Sequence, residues 1–369
     1  MNKIFITGGT GFLGSEMIKE IIFTSTDHIY ALVRGKTQEL SEKRLLSILS
    51  KVSDGVINEE IFRQRIKVFK GDIASDKLGL EESQINEIIK NVDIIYNNAA
   101  FTDLNMAIED IRKINVYGTR NVLDLAMRCK DNGRLQKVNH ISTAYIVGKK
   151  KCVFKETDLD IDQDFNNTYE QSKFEAELLV NEYRKKDLRC DVFRPSMILG
   201  RSSNGFTSNF KMLYQPIHFI ALGLFDKIPA DKDGLLNLIN IDTAAKLIVF
   251  ISNVKKTDNT NYNIVSPEPV SFIFAVEMAS LFFGFDLPEF IDSAKFDIEN
   301  EYTAVMKKMI GPYLPYFKYQ ARFDMQNTNF VLERRNFRFP EFDKKNFFNL
   351  YEFYKNKKKK KEYKNVITK

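Results

Sequence analysis

The feature that most constrains this chain lies at its start. ITGGTGFLGS, residues 6–15, follows the β-branched run Lys3–Thr7 and opens the amphipathic stretch Phe12–Phe23, so Gly8, Gly11 and Gly14 recur every third residue between strand and helix. Glycine is needed where a backbone turns tightly, where it approaches a pyrophosphate, and where a helix packs close on a strand. The helix that follows offers unpartnered N–H groups and the positive end of its dipole, which suit an anion. The motif in this setting implies dinucleotide binding, with Gly8, Thr10, Gly11, Phe12, Leu13 and Gly14 along the cofactor.

The next 190 residues alternate short β-branched runs with amphipathic stretches, the pattern of βαβ units and a parallel sheet. Strands are expected at Lys3–Thr7, His28–Val33, Ile66–Gly71, Val92–Asn97, Lys137–Ser142 and Asp191–Arg194, with helices at Phe12–Phe23, Glu39–Leu49, Glu81–Lys90, Ala107–Cys129 and Tyr169–Arg184. Six strands and five crossovers fit an α/β fold, a doubly wound (Rossmann) parallel sheet. All but one of the nine prolines lie beyond residue 200, where the pattern loosens. That part reads as a smaller C-terminal substrate-binding lobe. The division expected is 1–200 for the nucleotide-binding domain, with 235–255 returning to it, 201–354 for the lobe, and 355–369 as a basic tail. Helices remain at Thr243–Ser252 and Phe272–Phe283. The aromatic stretches Phe206–Phe225 and Phe282–Phe290 are open to two readings, core filling or an acyl channel.

Composition prunes the alternatives. Three cysteines in 369 residues, Cys129, Cys152 and Cys190, exclude a disulfide framework and fit a reducing compartment. Three histidines and the absence of CxxC, HExxH or HxH pairings argue against a zinc site, and a serine hydrolase triad is poorly supplied. Lys355–Lys369 holds eight lysines and one acid, so removing its +7 from the chain's +6 leaves a body near −1. A neutral body argues against nucleic acid as a partner. The tail reads as a solvated, partly disordered end, or as an attraction for an acidic carrier protein or a membrane surface. The longest apolar stretch, Phe272–Phe285, is interrupted by Glu277 and falls short of the roughly 20 residues of a membrane span. With no leader ahead of KIFIT, a cytoplasmic protein is expected.

Residues at the other strand ends extend the theme. The second strand ends in ALVRGK, offering Arg34, with Lys36 and Arg44 within reach, where an NAD site offers an acid to the ribose. A guanidinium pairs with a 2′-phosphate and stacks on adenine, so NADPH is favoured over NADH. Asp72, after the third strand, is placed to accept from the adenine amine, with Ile73 against the ring. Ala99 and Ala100, after the fourth, let the cofactor lie close.

Tyr169-x-x-x-Lys173 places a phenol and an ammonium four residues apart on one helical face. An ammonium there is expected to lower the phenol's pKa for proton transfer and to donate to the nicotinamide ribose. Tyr145–Lys149, Tyr351–Lys355 and Tyr354–Lys358 share the spacing, but only Tyr169 begins a helix 26 residues after a strand-end hydroxyl, Thr143 in HISTAY. Thr143, Tyr169 and Lys173 are therefore the candidate catalytic residues, with Ser142 as the alternative to Thr143.

TGGTGFLGS, GDI, Asn115 in INVYGT, STAY, YEQSK and FRPS together resemble the extended short-chain dehydrogenase/reductase family. LVRGK, Asn98-Ala99-Ala100, STAY and IPADKDGLLNLINID resemble its thioester reductase and fatty acyl-CoA reductase branch most, across roughly residues 1 to 250. FDMQNTN (Phe323–Asn329) is similar to the phenylalanine- and asparagine-rich segment of fatty acyl reductases. The resemblance implies reduction by NADPH of an acyl thioester, on coenzyme A or on an acyl or peptidyl carrier protein, to an aldehyde or onward to an alcohol. It also implies Pro195 and Ser196 of FRPS beside the cofactor. The chain departs from the branch in showing no adenylation domain, carrier domain or membrane-associated extension. Two other readings stand beside it, a nucleotide-sugar epimerase or dehydratase and a non-catalytic NADP-sensing regulator. The intact Thr143, Tyr169 and Lys173 argue against the regulator.

Overall fold

The computed structural model describes residues 1–254, 259–319, 321–333 and 337–367, with side chains to 358. Its centre is a seven-stranded sheet of β1 (Lys3–Thr7), β2 (His28–Val33), β3 (Ile66–Lys70), β4 (Ile94–Asn97), β5 (Lys137–Ile141), β6 (Cys190–Pro195) and β7 (Asn261–Ile264), in the order β7-β6-β5-β4-β1-β2-β3. All neighbours are parallel. Strand order reverses beside β1, where Thr7 stands opposite Leu32 of β2 and Asn97 of β4. A doubly wound sheet opens its ligand crevice at such a switch point.

Parallel strands covered on both faces are apolar along their length, and Ile4, Phe5 and Ile6 of β1 are all buried. Helices α1 (Phe12–Thr24), α2 (Gln38–Val52), α3 (Glu59–Arg65), α4 (Glu82–Asn91), α5 (Ile108–Asn115), α6 (Tyr117–Asn132) and α7 (Thr168–Arg184) flank the sheet. One face packs Met17, Ile18, Leu45 and Leu49 against the strands, and the other packs Ile85, Ile88, Leu123 and Leu179. The stretch expected as one helix, 107–129, is two. It breaks at Val116, just after Asn115 turns its side chain inward to hold the Phe101 backbone and the Ser172 hydroxyl.

β7 is the seventh strand, beyond the six expected, and it comes from the segment assigned to the second lobe. Its outer edge is held by side chains. Glu156 Oε1 accepts from the Asn263 amide at 2.8 Å and from the Thr328 hydroxyl at 2.7 Å. Thr328 Oγ1 also lies 3.2 Å from the Asn263 carbonyl, and Asn327 Nδ2 donates to the Asn261 carbonyl at 3.0 Å. The phenylalanine- and asparagine-rich segment is thus a strap along the sheet.

Beyond β6 come α8 (Tyr214–Ala221), α9 (Ile241–Ser252) and α10 (Phe272–Phe283). Helix α9 returns to the sheet and packs on α1, contributing Ala244, Ala245 and Ile248 to that core. The rest of the lobe is filled by aromatic side chains. Phe272 stacks on Phe317 with centroids 3.6 Å apart, and Phe225, Phe347 and Tyr351 are buried around them. Core filling therefore accounts for most of the phenylalanines, and Phe282–Phe290 pack against this core without lining the cleft described below. The helix Lys344–Ile367 runs into the basic end and packs on α10; residues 355–358 at its described end are exposed, and Lys358 Nζ lies 2.9 Å from His218 Nε2. The side chains after Lys358 lie outside the described residues. Among the described residues, no helix is long and apolar enough to cross a membrane.

Candidate active site

The glycine turn takes its shape from contacts that leave no room for a side chain. Gly8 has φ +70°, and a Cβ there would stand 2.8 Å from Ala99 Cα. A Cβ on Gly14 would stand 2.2 Å from the Gly8 carbonyl oxygen. The Gly11 amide closes the turn on Gly8 O at 2.9 Å. Thr7 Oγ1 accepts from the amides of Asn98 and Ala99 at 3.1 and 3.0 Å, joining the ends of β1 and β4. Gly11 caps α1 with no side-chain bond, so the first-turn N–H groups of the helix have no side-chain acceptor.

A cleft of about 670 Å³ runs along the carboxyl edge of the sheet. It brings together Gly8, Thr10, Gly11, Phe12, Leu13, Arg34, Arg44, Asp72, Ile73, Ala99, Ala100, Thr143, Tyr169, Lys173, Pro195 and Ser196. Gly14 lies behind the turn and Lys36 lies outside the lining. The crowded glycine turn and the uncapped helix end form a cradle that fits a dinucleotide pyrophosphate. Arg34 is 60% exposed and lies 3.8 Å from Asp72 Oδ2, while Arg44 donates to the Arg34 carbonyl at 2.9 Å. Two guanidinium groups therefore stand at the end of β2. Among the described residues, no group of three or more His, Cys, Asp or Glu is placed to hold a metal ion.

At the other end of the cleft, Asn167 caps α7 by accepting from the Glu170 amide at 3.0 Å, which sets Tyr169 in the first helical turn. Thr143 Oγ1 donates to the Pro195 carbonyl at 3.3 Å, and its side chain favours the ionised form of the Tyr169 phenol. Lys173 is buried and donates to the Ile141 carbonyl at 2.7 Å. Burial pushes this ammonium down to about 8, with Glu177 pulling the other way. The expected lowering of the phenol's pKa by Lys173 is not found. Burial raises it well above the ordinary value, the charge of Glu170 adds, and only Thr143 opposes. Of the two candidate hydroxyls, Thr143 is the one that acts on the Tyr169 phenol, whereas Ser142 Oγ, like Ser196 Oγ, is buried in the cleft wall with no hydrogen-bond partner among the described residues.

Sequence reasoning missed several residues here. Asn98 Nδ2 donates to the Gly8 carbonyl at 3.2 Å. Tyr145 and Tyr316 line the cleft beside Tyr169, and Glu170 lies buried behind it. Tyr316 and Glu170 carry no local signal, since 146 residues separate them.

A family model described as Male sterility protein, one of the NAD-binding families, matches residues 6–248. The chain is 28% identical over 266 residues to the L-2-aminoadipate reductase of Saccharomyces cerevisiae, which covers 68% of this chain and 19% of that protein. It is 29% identical over 198 residues to a protein of Arabidopsis thaliana described as "Probable fatty acyl-CoA reductase 5", covering 50% of this chain and 39% of that one. The chain thus spans well under half the length of either relative. Among solved structures, the terminal R domain from the myxalamid PKS-NRPS biosynthetic pathway superposes with a TM-score of 0.81 at 24% identity, over 95% of this chain and 90% of that one. That likeness establishes the fold.

Proposed function

The chain belongs to the male sterility protein family of NAD-binding proteins, and from that premise we propose that it is an NADPH-dependent reductase of acyl thioesters. The observation that carries this reading is the convergence of Thr143, Tyr169 and Lys173 in one cleft with the glycine turn and Arg34. The similarity to a protein named as a fatty acyl-CoA reductase supports the substrate class. In this reading residues 1–200, with 235–255 and β7, form the nucleotide-binding domain and the remainder of 201–354 the substrate lobe.

NADPH supplies a hydride when bound. The N–H groups at the start of α1 would hold its pyrophosphate, Arg34 and Arg44 its 2′-phosphate, and Lys173 its ribose. Pro195 and Ser196, which line the cleft, would lie alongside it. Tyr169 keeps its proton at neutral pH, because burial and Glu170 both favour the neutral phenol. It can therefore donate a hydrogen bond and then the proton to an oxyanion forming on the thioester carbonyl, with Thr143 holding the phenol in place. Met197 and Met212, which pack with the lobe core and line the cleft, give the acyl group an apolar wall. The thiol is coenzyme A or a carrier-protein phosphopantetheine, and the product is an aldehyde or, after a second reduction, an alcohol. The eight lysines of 355–369 support an anionic docking partner, an acidic carrier or a membrane surface. The three free cysteines support a reducing, cytoplasmic setting.

The test is NADPH oxidation by the purified protein with acyl-CoAs of several lengths and with a loaded carrier protein. Oxidation should require the thioester, and Tyr169→Phe should lower its rate by about 10²–10⁴-fold. Unchanged turnover in that variant removes Tyr169 as proton donor. No oxidation with any thioester, together with a cofactor that co-purifies tightly, moves the chain to the epimerase chemistry that shares these residues.

A further inference from the structure

The mechanism uses only the charge of one neighbour of Tyr169 and leaves its hydrogen bonds without a role. Glu170 is completely buried in the first turn of α7. Its carboxylate accepts from the Asn166 amide at 2.9 Å, from Asn166 Nδ2 at 3.0 Å and from the Tyr316 hydroxyl at 2.7 Å. Tyr316 belongs to the short helix Leu314–Phe317 of the second lobe. Its hydroxyl accepts from Nδ2 of Asn167, the α7 cap, at 2.8 Å. Its ring stands edge-on to Tyr145, with centroids 5.3 Å apart and planes at 89°.

Tyr145 is two residues after Thr143, and Asn167 is two before Tyr169. One lobe side chain thus touches both backbone segments that carry the candidate proton donor and its partner, and it lines the same cleft. Capping α7 does not require this, because Asn167 already accepts from the Glu170 amide. An acid in a first turn is ordinarily solvated and stabilised there by the helix dipole. A dry carboxylate is costly unless it is hydrogen-bonded, and here one of its bonds comes from the other lobe.

We propose that Glu170 and Tyr316 are a positioning pair, whose hydrogen bond clamps the second lobe to the first turn of α7 and so sets Tyr169 against the carbonyl of a lobe-bound acyl group. The proposal rests on the thioester reductase reading of the cleft. Neither residue is assigned a step in the chemistry; both act through Tyr169.

The clamp has a pH signature. The titratable groups coupled to Glu170 are Lys149, Tyr145, Tyr169, Tyr316 and Tyr319. Burial pushes Glu170 up to about 7, against hydrogen bonds from Asn166 and Tyr316 and the charge of Lys149. Once protonated, the acid has one acceptor site fewer for the N–H and O–H groups that point at it, so its bond with Tyr316 loses the charged acceptor and must weaken or reverse.

The experiment uses the full chain with Tyr316→Phe, Glu170→Gln, Glu170→Ala and the Glu170→Gln/Tyr316→Phe pair. Kinetics with an acyl-CoA, NADPH titration and amide hydrogen exchange are measured on each. Tyr316→Phe should lower kcat roughly tenfold, the size of one hydrogen bond to a charged acceptor, with NADPH affinity unchanged. Glu170→Gln, which keeps a carbonyl for Tyr316, should lose less than Glu170→Ala. It should also lose the limb near pH 7 in the kcat profile. The paired variant should cost less than the sum of its parts. Wild-type kcat in Tyr316→Phe, additive losses, or a pH limb that persists in Glu170→Gln overturns the proposal. If the wild type reduces no thioester, the reductase reading fails separately, and exchange decides the clamp. Faster exchange at Asn166 and the first turn of α7 in Tyr316→Phe sustains it, and unchanged exchange removes it.

Discussion

The two ends of the cleft are built from different materials. At the nucleotide end the backbone makes the site: a glycine turn pressed against Ala99 and an uncapped helix terminus. At the lobe end side chains make it, with Tyr316 reaching in from a core of stacked phenylalanines. A site made of backbone depends on where side chains are missing, so few substitutions are compatible with it. A site made of packed aromatics tolerates exchange wherever volume is kept. In the proposed reading the first keeps one ligand chemistry fixed, and the second would leave room for different acyl groups.

Four measurements would break or sharpen this contrast. The largest effect is expected from Phe272→Ala, which empties a fully packed lobe position and should destabilise the protein by about 3–5 kcal/mol in denaturant unfolding. If the two ends are independent, NADPH affinity in the surviving folded protein is unchanged; a parallel loss of affinity would join them. Gly14→Ala drives a methyl to 2.2 Å from the Gly8 carbonyl, with a cost of about 1–3 kcal/mol. Here the sign reverses, since the damage should fall on NADPH binding measured by titration. Arg34→Ala should weaken NADPH roughly ten- to hundredfold and leave NADH unchanged; equal loss of both cofactors would remove the 2′-phosphate assignment.

The smallest effect concerns stability against pH. Glu170 has a folded pKa pushed up to about 7, above the roughly 4.3 of an unfolded glutamate. Between those values the folded state binds the proton and the unfolded state does not. The contribution of this group to stability is therefore fully present below the unfolded value, falls as pH rises through the interval, and is gone above about 7. Glu170→Gln should flatten that part of a Tm-against-pH curve, and an unchanged slope would place the titration elsewhere.

The same contrast explains what the sequence revealed. β1 and β2 have the bounds expected of them, because buried parallel strands are continuous apolar runs closed by glycine or by a charged residue. Most of the candidate cofactor residues could be read because they follow a strand, whereas Arg44 lies within α2 and Lys173 within α7. Gly14 stands apart from them, packing behind the turn instead of lining it. β7 was invisible: four residues, two of them asparagine, carry no strand pattern of their own and pair only because β6 is there. The break at Val116 escaped notice because the apolar periodicity runs on through it. Nor does a tyrosine-lysine spacing disclose that the ammonium faces the Ile141 carbonyl and that burial governs the phenol.

The strap over β7 has a consequence outside the cleft. A strand at the margin of a sheet exposes unpaired N–H and C=O groups, a template on which another chain can add a strand. Along β7 those outward groups are taken by Glu156, Asn327 and Thr328. A second molecule would have to displace a carboxylate, an amide and a hydroxyl before it could pair. Glu156 and the segment Phe323–Asn329 thus close this edge of the sheet to strand addition, four strands away from the glycine turn.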